Sequence, residues 1–142
     1  MLFRSYNIKL IHFSTDYVYN SSSLKVINET SQVQPINFYG QSKRDGEIFI
    51  ENSSSNSIII RTSWLYSKFG NNFVNTIISK IKNNENISVV NDQYGCPTYA
   101  EDLANDVLRI IENDRIDLHG KVYNYSNLGY TNWYNFSKKI SH

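Results

Sequence analysis

The chain has 142 residues, 14 Lys plus Arg against 13 Asp plus Glu, a net charge of +1, and 40% hydrophobic and 19% charged residues. That composition excludes a disordered polyelectrolyte, and its near-neutral balance gives no support to nucleic-acid binding by phosphate neutralisation. The single cysteine, Cys96, excludes an internal disulfide and a cysteine-rich zinc site. Met1 to Ile11 shows no secretory pattern, and no apolar run approaches the roughly 20 residues of a membrane span, so a cytoplasmic chain without membrane contact is expected.

Ile8–Phe13 reads as a buried strand that ends at the polar run Ser14-Thr15-Asp16. Ser21–Pro35 is a polar surface loop. The N-x-S/T triplets at Asn20 and Asn28 arise easily in so Asn- and Ser-rich a chain and are not taken as glycosylation sites. Phe38–Glu51 looks helical. Ser57–Thr62 contains Ile58-Ile59-Ile60, a β-branched run that suits a strand buried on both faces of a parallel sheet. Asn72–Lys82 places Phe73, Ile77, Ile78 and Ile81 at helical spacing. Ile87–Val90 reads as a short strand. Thr98–Glu112 reads as a helix, with Thr98 and Glu101 spaced as a capping box. Lys121–Tyr125 follows as a strand and Asn132–Ile140 as a helix. The βαβαβαβα order predicts an α/β fold with a mostly parallel sheet, in one domain over residues 1–142.

The densest chemistry lies in Tyr39-Gly40-Gln41-Ser42-Lys43. On a helix, Tyr39 and Lys43 share one face. A free phenol titrates near 10, and a neighbouring ammonium favours its phenolate, which is what a neutral-pH proton donor needs. Thr15 and Asp16 stand at the C-terminal end of a parallel strand, where open α/β sheets bind ligands. Other marked residues have plainer readings. Arg61 is expected to make a structural pair, and Asn71 or Asn72 to cap a helix. Cys96 is expected to pack as a small residue. The aromatic group Tyr130, Trp133, Tyr134 and Phe136 reads as core. His12, His119 and His142 are scattered and form no metal cluster.

Ser14-Thr15-Asp16-Tyr17-Val18-Tyr19, Asn37–Lys43 and Glu47 resemble the extended short-chain dehydrogenase/reductases, and among them the dTDP-4-dehydrorhamnose reductases. Arg61–Tyr66, Gly70–Val74, Asp92–Ala104, Tyr123-Asn124 and Trp133–Phe136 extend the likeness in collinear order. The resemblance implies that NADPH or NADH delivers hydride to C4 of a dTDP-linked 4-keto-6-deoxy sugar. It assigns Tyr39 as proton donor, Lys43 as the group that tunes Tyr39 and holds the nicotinamide ribose, and Thr15 as the third member of a catalytic triad. Asp16 and Trp64 would contact the sugar, and the Asp92–Thr98 loop would lie near the nucleotide. As the resemblance has it, 4,6-dehydratases carry Glu after the Thr-Asp pair; Tyr17 stands there instead and disfavours water elimination.

The six glycines form no phosphate-cradling cluster. Set beside the resemblance, that predicts the later part of a Rossmann-like sheet with a portion of the C-terminal substrate region. A chain truncated in this way is expected to be inactive and only marginally folded in isolation, with a homodimer open to the whole protein. The alternative is a non-catalytic regulatory subunit of the kind found in methionine adenosyltransferase.

Overall fold

In a computed structural model, described over residues 9–20, 26–53, 56–113 and 121–141, the chain divides into two compact units. One comprises residues 1–62 and 110–125, the other residues 63–109 and 126–142.

The first unit is built on β2 (Ser57–Thr62), whose first five residues are buried. Both its edges are paired in parallel, by β1 (Leu10–Thr15) and by β6 (Lys121–Tyr125), in the order β1-β2-β6. Ile58, Ile59 and Ile60 stand in an unbroken run at 0–3% exposure, so neither face of this central strand meets solvent. The register aligns Phe13 with Ile60, Thr15 with Thr62, and Arg61 with Asn124. β1 runs two residues past the expected Phe13, so Ser14 and Thr15 are strand residues. A single 3-10 turn, Asp16–Val18, follows, started by the Thr15 hydroxyl accepting from the Tyr17 amide.

Helix α1 (Phe38–Ser53) starts at Asn37, whose side chain accepts from the Gly40 amide at 2.7 Å. Its inner face buries Gly40, Glu47 and Ile50. Gly40 faces the Tyr17 carbonyl so closely that a Cβ would collide with main chain. The missing side chain is what lets α1 press onto the turn after β1.

In the second unit β3 (Leu65–Tyr66) pairs in parallel with β5 (Thr98–Tyr99), and β4 (Tyr94–Gly95) pairs antiparallel with β7 (Thr131–Asn132). Helix α2 (Phe73–Lys82) is capped by Asn72, as expected, and α4 (Trp133–Ile140) by Asn132. Helix α3 (Ala100–Glu112) starts two residues later than expected because Thr98 and Tyr99 belong to β5. The expected capping box does not form: the Thr98 hydroxyl donates to the Cys96 carbonyl, and Glu101 accepts from the Tyr99 phenol.

Ile87–Val90 is not a strand. The Val90 carbonyl accepts from the Tyr134 amide at the start of α4. Ile87 and Val89 instead line a shallow cavity of about 210 Å³ with Ile77, Ile81 and Tyr134. Short β-branched runs bury equally well against helices, so their pattern alone does not require a ladder. The aromatic group is only partly core: Trp133 and Phe136 pack on Phe73, whereas Tyr130 is 78% exposed. No helix among the described residues is long and apolar enough to cross a membrane.

Candidate active site

The first unit assembles Thr15, Asp16, Tyr39 and Lys43 around the C-terminal end of β1. Thr15 is buried, because the strand carries it into the sheet. Its hydroxyl donates to Asp16 Oδ1 at 3.1 Å while accepting from the Tyr17 amide. Burial pushes the Asp16 carboxyl up from its ordinary value, against the hydrogen bonds from Thr15 and the backbone.

Tyr39 lies in the first turn of α1 and is 55% exposed. Its ring meets the Tyr17 ring edge-on, with centroids 5.9 Å apart. One turn further, the Lys43 ammonium donates to the Phe13 carbonyl at 2.6 Å. That bond ties the helix to β1 two residues before Thr15 and fixes an otherwise flexible side chain. Phenol, ammonium and hydroxyl thus belong to one strand–turn–helix segment.

Behind them lies a polar network. Glu47, one turn beyond Lys43, is fully buried. It receives Arg61 Nε at 2.8 Å and Nη2 at 2.7 Å, a bidentate pair, and Arg44 Nη1 at 2.9 Å. Arg61 Nη1 donates to the Tyr19 phenol at 2.8 Å, which in turn donates to Asn124 Oδ1 at 2.9 Å. Burial works against both charges. The hydrogen bonds outweigh it, holding Glu47 below and Arg61 above their ordinary values. The structural role expected of Arg61 is borne out. Its partners Glu47 and Tyr19 were not foreseen, although one charged residue inside an apolar strand is a signal that buried partners exist.

Trp64 belongs to the second unit. Its backbone adopts a positive φ of 43°, and its carbonyl accepts from the Thr98 amide. The indole stacks on Trp133, with centroids 3.5 Å apart and planes 6° from parallel. Gly95 abuts the same indole so closely that a Cβ there would collide with it. Nearby, the Ser63 hydroxyl donates to the Cys96 carbonyl at 2.7 Å.

The family described as the RmlD substrate binding domain matches residues 2–142. Among curated proteins, the spore coat polysaccharide biosynthesis protein SpsK of Bacillus subtilis (strain 168) is 38% identical over 130 residues, which is 92% of this chain and 44% of that protein. The dTDP-4-dehydrorhamnose reductase of Escherichia coli (strain K12) is 37% identical over 134 residues, again 92% of this chain and 44% of that protein. The crystal structure of dTDP-4-dehydrorhamnose reductase from Bacillus anthracis str. Ames in complex with NADP aligns with a TM-score of 0.89 at 43% identity, over 97% of this chain and 48% of that one. The chain spans about half the length of the relatives it matches.

Proposed function

This chain belongs to the family of the RmlD substrate binding domain, and from that premise we propose that the whole protein reduces the C4 keto group of dTDP-4-dehydrorhamnose to give dTDP-L-rhamnose. The observation that carries the reading is the placement of Tyr39 and Lys43 on successive turns of α1, with Lys43 tied to β1 beside Thr15.

A reduced nicotinamide, NADPH or NADH, supplies the hydride when bound. The residues fit such a group. Tyr39 is accessible, and Lys43 keeps two N–H donors after its bond to Phe13, enough to meet a ribose diol. The remaining work falls to the chain. Tyr39 gives its phenolic proton to the C4 oxygen as charge develops there. Lys43 stabilises the phenolate left behind. Thr15 donates to the same oxygen by turning its hydroxyl away from Asp16, which is then released toward the sugar. Within the second unit, Trp64 is held rigid by its stack on Trp133.

The test is turnover of dTDP-4-dehydrorhamnose by the whole protein, followed by loss of reduced-nicotinamide absorbance. Tyr39→Phe is expected to lower kcat by about 10²- to 10⁴-fold with little change in KM. Unchanged kcat in that variant would sink the assignment. Absence of turnover in the unaltered protein would favour the regulatory-subunit reading.

A further inference from the structure

We propose that Arg61 is a positioning residue that holds the Thr15 end of β1 and the Tyr39–Lys43 turn of α1 in one arrangement. The proposal rests on the catalytic reading of Tyr39 and Lys43 given above. Its grounds lie in how one guanidinium divides its donors. Nε and Nη2 grip both oxygens of Glu47, and Nη1 grips the Tyr19 phenol.

Each grip leads to one part of the triad. Tyr39, Lys43 and Glu47 follow one another at four-residue intervals, so they share one face of a rigid helix. A displacement of Glu47 therefore moves Lys43 and Tyr39 with it. Tyr19 closes the turn after β1, its amide donating to the Asp16 carbonyl. A displacement of Tyr19 therefore loosens the turn that Thr15 starts. Asn124, paired with Arg61 in the β2–β6 register, holds the phenol from the opposite side.

Neutralising Glu47 does not require this arrangement, because Arg44 already donates to the same carboxylate. What Arg61 adds is direction. A planar fork bound at both oxygens fixes the carboxylate's orientation, which a single ammonium does not.

The experiment compares Arg61→Met, Arg61→Lys and, as a packing control, Ile59→Val in the whole protein. Ile59 is buried in the same strand and stands in register with His12 and Val122. Three readouts are taken: kcat and KM for the keto sugar, denaturant stability, and the ¹H–¹⁵N resonance of the Lys43 ammonium held on the Phe13 carbonyl. Arg61→Met is expected to lower kcat by about 100-fold with little change in KM, and to abolish the Lys43 resonance. Arg61→Lys is expected to recover part of both. Ile59→Val is expected to lose stability with kcat and the resonance unchanged. Folded Arg61 variants that keep the original kcat and Lys43 resonance would overturn the proposal. If Arg61→Met does not fold, Arg61→Lys decides by the same readouts. If the unaltered protein shows no turnover, the catalytic reading fails while the Lys43 resonance still decides the positioning claim.

Discussion

Position 40 has room for a hydrogen and nothing larger. A Cβ would meet the Tyr17 carbonyl, which is main chain, and crowd the Pro35 ring, so no flexible end can yield. Gly40→Ala is therefore expected to cost about 1–3 kcal/mol and to force α1 off the turn after β1. Gly46 lies on the same helix, but its nearest neighbour to an added Cβ is His12 Nε2 at 3.7 Å. Gly46→Ala is expected to stabilise by about 0.5–1 kcal/mol through helix propensity alone. Urea denaturation of both variants checks the opposite signs. The contrast explains what could be read in the sequence at this scale. Spacing was enough to put Tyr39 and Lys43 on one face of a helix. Two glycines in one helix looked alike, because a close approach by Tyr17 depends on tertiary packing. Glu47 was visible as part of a motif, but its grip on Arg61 was not, since the two are brought together by the helix lying on β2.

The asparagine caps show how local chemistry sets whole elements. Asn72 accepts from the Asn75 amide, and Asn132 accepts from the Asn135 amide at 2.7 Å. Asn132 is also buried and donates to the Asn91 carbonyl at 3.0 Å. The Asn72 amide likewise donates to the Ser67 carbonyl at 2.8 Å, but Asn72 is only half-buried, so Asn132→Ala is expected to cost about 2 kcal/mol, at the upper end for caps, and Asn72→Ala about 1 kcal/mol. Thermal melts of the two variants give the comparison, and equal losses would remove the role assigned to the burial of Asn132. Helix α2, with its periodic apolar face, was legible to within a residue, as was β2 with its unbroken isoleucines. Ile87–Val90 was misread because its apolar side chains serve helix packing while its last carbonyl serves α4. The two-residue strands β3, β4, β5 and β7 carry too little pattern to be seen without their partners.

Across the molecule, buried Glu47 and half-buried His12 and Asp16 give stability a definite pH dependence. Burial and the Lys43 ammonium lower the His12 pKa from 6.5, so the unfolded chain takes up that proton first and stability falls as pH drops below 6.5. Glu47 is held below 4.5; its contribution is complete above that value and is lost as pH falls through the lowered one. Asp16, raised above 3.8, acts with the opposite sign and softens the acid limb. Urea denaturation across this range is expected to show a decline beginning near pH 6.5 that His12→Gln removes, followed by a steeper one below pH 4.5 that it leaves in place. A decline unchanged by His12→Gln would contradict the burial assigned to that imidazole. The α/β class was readable from the alternation of elements, but this dependence was not, because it comes from which polar groups the sheet and α1 enclose.

The stacked indoles also make the chain its own optical instrument. Trp64 and Trp133 are its two tryptophans, and both lie in the second unit. Indole emission therefore reads that unit alone, whereas far-ultraviolet dichroism reads the helices and strands of both. Parallel rings at 3.5 Å couple their electronic transitions, so the second unit carries a signature that fades as soon as Trp64 leaves its partner. Emission and dichroism traces that coincide on heating identify one cooperative transition; traces that separate show which unit lets go first.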